Sequence, residues 1–132
     1  LDVGTGSGCI AVTLAANLRN SAVTAWDISG DALLIARDNV HQYQVRVELK
    51  MEDALHPSAA AMQQKFDVIV SNPPYICDKE RTEMEGNVLA YEPETALFVP
   101  DDDPLRFYRA IAEYGVQALC FILRPIHCIL MT

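Results

Sequence analysis

The fold is decided by FDVIVSNPPY, residues 66–75 of this 132-residue chain. The three consecutive β-branched residues at 68–70 predict a strand that is covered on both faces inside a parallel sheet. Ser71 ends the apolar run, and residues 72–75 (NPPY) follow as a rigid turn. Open α/β sheets bind ligands at the carboxyl ends of their strands, so this turn is the first candidate for a functional site.

The turn is rich in hydrogen-bond acceptors. Pro73 and Pro74 each hold φ at about −65° and supply no backbone N–H, so the main chain offers stiffly held carbonyl groups. Asn72 adds a side-chain carbonyl, and Tyr75 adds a flat aromatic face. Such a slot suits a planar NH2 group, whose two hydrogens are accepted while its nitrogen is aimed at an electrophile.

A second motif stands at the start of the chain. Residues 1–3 predict the end of a strand, residues 4–8 (GTGSG) a glycine loop, and residues 9–18 a helix with one apolar face. Alternate glycines permit positive φ and leave no side chain between the backbone and a ligand, while the helix N-terminus adds free N–H groups. Because strand and helix flank the G-x-G-x-G spacing, the pattern favours a ligand-binding loop over a simple tight turn.

Acidic residues follow the next two predicted strands. After the second strand, residues 22–26, Asp27 lies 19 residues beyond Gly8, near the spacing at which an acidic residue accepts hydrogen bonds from ribose hydroxyl groups. The alternative for Asp27 is a carboxylate at the N-terminus of the next helix, but we assign that capping to Ser29.

Residues 45–50 alternate apolar and polar side chains, which predicts a third strand near the edge of the sheet. Asp53 follows it and is placed to accept a hydrogen bond from an adenine amino group. The alternative, a solvated loop carboxylate, stays open for this residue.

The rest of the chain carries weaker signals. Residues 57–64 predict a loop with a short helix, and residues 78–86 a mobile, solvated cover over the slot, against which residues 91–97 would close. A helix is expected at 104–119, and residues 120–123 and 126–131 each have strand character. We assign the residues at helical spacing in that helix to core packing: Leu105, Tyr108, Ile111, Ala112 and Gly115.

Composition fits a single soluble globular domain over residues 1–132, with no apolar run reaching the roughly 18 residues of a membrane span. The net charge of −8 argues against a surface that holds nucleic acid through phosphate contacts. The four cysteines form no CxxC pair and no histidine stands at ligand spacing. We therefore expect reduced thiols, no metal site and a cytoplasmic protein.

Together the motifs resemble the Rossmann-like, S-adenosylmethionine-dependent methyltransferases. The combination of LDVGTGSGCIA (1–11), DIS (27–29), SNPPYI (71–76) and YEPETAL (91–97) is similar in particular to the HemK/PrmC protein-glutamine methyltransferases, which act on peptide chain release factors. The likeness extends over residues 1–119. Many methyltransferases share the glycine loop and the NPPY turn, and YEPETAL placed after NPPY narrows the resemblance to this one branch. It implies a class I methyltransferase domain, with a mostly parallel sheet and helices on both faces.

The resemblance also implies roles for single residues. The glycine loop would wrap the methionine part of S-adenosylmethionine, Asp27 would hold the ribose, and Asn72 would face both cofactor and substrate. The cofactor-binding residues expected in this way are Gly4, Thr5, Gly6, Ser7, Gly8, Asp27, Asp53, Ala54 and Asn72. The expected substrate-binding residues are Asn72, Pro73, Pro74 and Tyr75, of which Asn72, Pro73 and Tyr75 are the catalytic ones.

By the same resemblance, the substrate is the glutamine of a Gly-Gly-Gln loop in a release factor, methylated on its side-chain amide nitrogen during the control of translation termination. No metal, membrane or direct nucleic-acid partner is expected.

Two alternatives stay open. An adenine amino group is also a planar NH2, so NPPY equally suits a nucleic-acid amino methyltransferase; the acidic balance and YEPETAL argue against it. The other alternative is a cofactor-binding fragment without turnover. By the resemblance we expect a chain truncated at both ends, without the family's N-terminal helical docking domain, and the sequence after Leu123 departs from the family pattern.

Overall fold

A computed structural model describes residues 1–83, 97–118 and 127–130. Within these residues, five parallel strands form one sheet in the order β3-β2-β1-β4-β7, and two short parallel strands, β5 and β6, form a second sheet. The strands are β1 (Asp2–Val3), β2 (Val23–Asp27), β3 (Val47–Met51), β4 (Val68–Ser71), β5 (Ile76–Cys77), β6 (Phe98–Val99) and β7 (His127–Leu130).

Helices connect the first four strands of the main sheet, since parallel neighbours need a crossover connection. The helices are α1 (Cys9–Asn17), α2 (Gly30–Gln42), α3 (Ala59–Met62) and α4 (Arg106–Ala118), with a 3₁₀ helix at Asp78–Glu83. Ser29 caps α2, since its hydroxyl oxygen accepts a hydrogen bond from Ala32 N. That capping assignment is confirmed.

Both faces of the sheet are buried. Ala25 and Trp26 are neighbours on β2 and point to opposite faces, yet neither side chain is accessible to solvent. Ala25 packs in a cluster with Ala11 of α1, whereas Trp26 packs with Tyr114 of α4, at 5.0 Å between ring centroids. The predicted class, a parallel sheet with helices on both faces, is confirmed.

The predicted strand around residues 68–70 is confirmed as an inner strand, since β4 pairs with β1 on one side and β7 on the other. Val68 departs from the expected burial and is 41% exposed. β1 begins opposite Val70, so Val68 has a paired strand only in β7, while the Leu1 amino group donates to its carbonyl at 2.8 Å. The predictions of a third strand at the sheet edge and of a strand within 126–131 are also confirmed, as β3 and β7.

The prediction for α4 needs two corrections. The helix begins at Arg106 rather than Pro104, and the core-packing assignment is wrong for Leu105 and Ala112, which are exposed. The buried residues of α4 are Ile111, Tyr114, Gly115 and Ala118. The true core stripe is therefore rotated relative to the predicted one and shares only Ile111 and Gly115 with it.

Several predicted segments lie wholly or partly outside the described residues: 84–86 of the predicted cover, 91–96 of YEPETAL and the strand at 120–123. The described part of the cover begins with three exposed residues, 78–80, in the 3₁₀ helix. Cys9 and Cys77 are free thiols. In the described ranges, no helix is long and apolar enough to cross a membrane.

Candidate cofactor and acceptor site

The glycine loop between β1 and α1 has an open inner surface. Gly4 and Gly6 have φ angles of +70° and +56°, and a Cβ atom built on either residue would meet nothing within 4 Å. Positive φ explains why glycine is needed at both positions. The open space next to this bare backbone allows a ligand to approach the main chain closely.

Gly8 is required for a different reason. It has φ +82° and forms the N-cap of α1, and an added Cβ would lie 3.1 Å from the Cβ of Ala36 on α2. The N-cap residue makes no side-chain hydrogen bond to α1, and the positive end of the helix dipole faces the loop. The third glycine therefore brings α2 close to the loop and leaves the helix N-terminus open to a ligand.

Asp27, the last residue of β2, holds the glycine loop through its side-chain carboxylate. Its Oδ2 accepts a hydrogen bond from Gly6 N at 2.8 Å, and its Oδ1 accepts one from Ser29 N at 2.9 Å. A carboxylate has about four lone-pair positions, so each oxygen can still accept a further bond from a ligand. The carboxylate is partly exposed at the sheet edge where a ribose is predicted.

Two other contacts hold the loop in place. Asn39 of α2 donates from Nδ2 to the carbonyl of Ser7 at 2.8 Å, a role that the sequence analysis missed. Thr5 Oγ1 donates to Asp2 Oδ2 at 2.5 Å, inside the protein. Burial raises the pKa of Asp2, although the hydrogen bonds from Thr5 and from the Ala11 N–H oppose that rise. Loop and core are thus joined by buried polar contacts.

Asp53, after β3, is engaged within its own turn. Its Oδ1 accepts from Leu55 N at 2.8 Å, and its Oδ2 lies 3.0 Å from His56 Nδ1. Partial burial acts to raise the pKa of Asp53, but the hydrogen bonds from His56 and Leu55 outweigh it and hold that pKa below its ordinary value. The adenine role of Asp53 and the half-buried Ala54 stays a prediction, with Asp53 also serving as the anchor of this turn.

Ile28 is a further residue that the sequence analysis missed. It follows Asp27 directly, and 63% of its surface is exposed at the ligand-binding edge. Its exposed apolar side chain lies next to the predicted ribose-binding carboxylate of Asp27 in the sequence. The signal for it was in the sequence, as the isoleucine between Asp27 and the capping Ser29.

The NPPY turn, residues 72–75, lies next to the glycine loop and is called the acceptor turn below. Val3 and Ser71 are opposite each other in the β1–β4 register, so the loop that starts at Gly4 and the turn that starts at Asn72 leave the sheet side by side. Asn72 is exposed, and its side chain makes no hydrogen bond with any other described residue. Its amide is therefore available to a ligand.

The two prolines and the tyrosine of the turn differ in exposure. Pro73 is buried and Pro74 half-buried, which anchors the turn in the protein, while Tyr75 is 49% exposed. The turn thus combines a partly buried main chain with an exposed tyrosine ring, and its role as a slot for a planar NH2 group stays a prediction. No group of three or more His, Cys, Asp or Glu side chains that could hold a metal ion occurs in the described part of the chain.

Solved structures share this architecture. The catalytic domain of hMettl16 in complex with MAT2A 3'UTR hairpin 1 superposes with a TM-score of 0.63 at 21% identity, covering 89% of this chain and 46% of that one. An S-adenosylmethionine-dependent methyltransferase from Clostridium acetobutylicum gives a TM-score of 0.51 at 17% identity, over 90% of this chain and 37% of that one. The chain has the class I methyltransferase fold.

A sequence model of the methyltransferase small domain matches residues 1–96, and the chain belongs to this family. It is 56% identical over 120 residues to the release factor glutamine methyltransferase of Bacteroides thetaiotaomicron. That match takes in 90% of this chain and 42% of the relative. The chain therefore spans about two fifths of the length of this curated relative.

Proposed function

We propose that this chain forms the methyl-transferring part of an S-adenosylmethionine-dependent methyltransferase, whose substrate is the glutamine side chain of the Gly-Gly-Gln loop in peptide chain release factors. The observation that carries the chemistry is the pairing of Val3 with Ser71, which sets an open glycine loop beside an acceptor-rich turn. The similarity to the Bacteroides thetaiotaomicron enzyme supports the choice of substrate.

The residues at the sheet edge fit this cofactor. The bare backbone at Gly4 and Gly6 leaves space for the methionine part, Asp27 retains acceptor capacity for ribose hydroxyls, and Ile28 offers an apolar surface to the adenine. Asp53 and Ala54 would border the adenine on the β3 side. When bound, S-adenosylmethionine supplies an electrophilic methyl group on a sulfonium.

The acceptor turn would orient the substrate amide. Its nitrogen is a weak nucleophile because the lone pair is delocalised into the carbonyl, so catalysis rests on alignment and electrostatics. We assign the Asn72 side-chain oxygen and the Pro73 carbonyl to accept the two amide hydrogens, and the Tyr75 ring to pack on the amide plane. Positioning of this kind can lower a barrier by roughly 7–11 kcal/mol.

The decisive test is transfer of a labelled methyl group from S-adenosylmethionine to a release factor. The 132-residue chain and its full-length context are assayed side by side, with a Gln→Ala release factor as control and with DNA and RNA as competing substrates. Label on the wild-type release factor alone supports the proposal. Label on nucleic acid alone would transfer the proposal to an amino group of a base, which the NPPY turn also suits.

A further inference from the structure

An open groove adjoins the acceptor turn. It has a volume of about 470 Å³ and is lined by Tyr75, Pro104, Leu105 and Tyr108. Tyr75 ends the acceptor turn, whereas the other three residues belong to the start of α4 and the turn before it. Two segments that lie far apart in the sequence therefore meet beside the slot. The groove is within the range of about 300–1,000 Å³ that is usual for ligand sites.

Leu105 does not face the core, although it lies at helical spacing with core residues. It is 60% exposed, whereas Ile111, further along α4, is 2% exposed. Burial and the nearby phenol of Tyr75 raise the pKa of Tyr108, which agrees with the closeness of the two rings. An exposed leucine between two tyrosines, next to a polar slot, is an apolar surface that a partner can cover.

This part of α4 is firmly held. Arg109 forms two hydrogen bonds with the Asp103 carboxylate, at 3.0 and 3.1 Å, and so ties the helix to the turn that precedes it. One and a half turns further on, the Tyr114 hydroxyl donates to the carbonyl of Ala61 inside the core. Tyr108 therefore lies in a helix that is linked both to the preceding turn and to the core, and Leu105 directly precedes that helix.

We propose that Leu105 and Tyr108, together with Tyr75, form the binding groove for the peptide residues that flank the acceptor glutamine. The inference rests on the proposed function, because a glutamine amide held at Asn72 and Pro73 brings its own main chain past Tyr75. Tyr75 is shared by slot and groove, so the two are continuous. We expect the groove to favour uncharged flanking residues, since a charge in an apolar groove would lose hydration without gaining a partner.

The test compares Leu105→Ala and Tyr108→Ala with Val116→Ala, a matched control on the same helix that is 68% exposed and away from the groove. Steady-state methylation of a release factor is measured with the full-length protein, together with S-adenosylmethionine affinity and thermal unfolding. We expect each groove variant to raise KM for the release factor about fivefold to tenfold, with kcat and cofactor affinity changed less than twofold.

A second comparison uses short glutamine peptides with either Gly or Asp next to the acceptor. The wild type should prefer the uncharged flank, and Leu105→Ala should reduce that preference. Wild-type methylation with identical kinetics for Leu105→Ala and Val116→Ala would overturn the groove while leaving the proposed function intact. Absence of methyl transfer by the wild type to any release factor would instead overturn the proposed function, and the groove with it.

Discussion

The hydroxyl of Ser71 donates a hydrogen bond of 2.6 Å to the carbonyl of Val3. Ser71 is the last residue of β4 and Val3 the last residue of β1, and both are buried. Asn72 follows Ser71, and Gly4 follows Val3. The bond therefore links the two residues from which the acceptor turn and the glycine loop begin. Together with the backbone pairing of β1 and β4, this contact holds the two loops side by side.

Ser71→Ala should therefore affect both stability and catalysis. The substitution leaves the buried Val3 carbonyl without its hydroxyl donor, which should lower the free energy of unfolding by about 1–3 kcal/mol. We expect kcat to fall more than cofactor affinity, because the turn loses its anchor while the glycine loop keeps its other bonds. Urea unfolding and single-turnover methylation measure the two effects. Ser21→Ala, which removes an exposed hydroxyl bonded to Leu18 O, is the control and should change neither quantity.

Asn72→Ala tests the acceptor slot itself. Because the side chain makes no hydrogen bond with other described residues, its loss should leave the folded state intact. The methyl-transfer rate should drop by about 10²–10³, the usual effect of removing one preorganised hydrogen-bonding group from an active site. Cofactor affinity, measured by calorimetry, should change little. Asn17→Ala, at the far end of α1, is the matched control, and unchanged turnover in Asn72→Ala would remove this residue from the mechanism.

Asp27→Ala should weaken S-adenosylmethionine binding by about 1–3 kcal/mol, the range for a hydrogen bond to a charged group. Part of this loss would be indirect, since the carboxylate also holds Gly6 N in the loop. Asp27→Asn separates the two effects because its side-chain oxygen can still accept one backbone bond without the charge. Calorimetry gives the affinities, with the exposed Asp31→Asn of α2 as the control. An unaltered affinity in Asp27→Ala would disprove the ribose assignment.

Local sequence signals predicted the elements that carry the site. The β-branched run at 68–70 and the alternate glycines at 4–8 act through backbone geometry and burial, so they needed no knowledge of distant residues. The Ser71–Val3 bond was beyond such reasoning because it joins strands whose pairing depends on the register of residues 68 positions apart. The sequence alone marks Ser71 only as the end of an apolar run.

The buried face of α4 also could not be predicted from local sequence signals. Helical spacing at 105, 108, 111, 112 and 115 defines a stripe, and the buried stripe at 111, 114, 115 and 118 overlaps it at two positions. Which of two neighbouring helix faces is buried depends on the side chains that the helix packs against. Here these include the rings of Trp26 on β2 and of Phe66 just before β4. That choice leaves Leu105 exposed beside Tyr75 and creates the groove.

Tyr114 predicts a loss of stability at alkaline pH. Burial of its ring raises the pKa of Tyr114 to about 12, above the ordinary value of 10.0, while its hydroxyl donates to Ala61 O. A group whose pKa is higher in the folded state stabilises that state fully below the unfolded pKa, and this contribution is lost as the pH rises through the folded pKa. The free energy of unfolding should therefore decline between about pH 10 and pH 12.

Tyr114→Phe isolates this contribution. The variant should be less stable than wild type at pH 8, because Ala61 O loses its buried donor, by about 1–3 kcal/mol. Since phenylalanine does not titrate, the difference between the two proteins should narrow as the pH rises above 10. Urea unfolding at half-unit pH intervals measures it, with the exposed Tyr43→Phe as a control that should follow the wild type throughout. A difference that stays constant up to pH 12 would show that Tyr114 does not have a raised pKa in the folded protein.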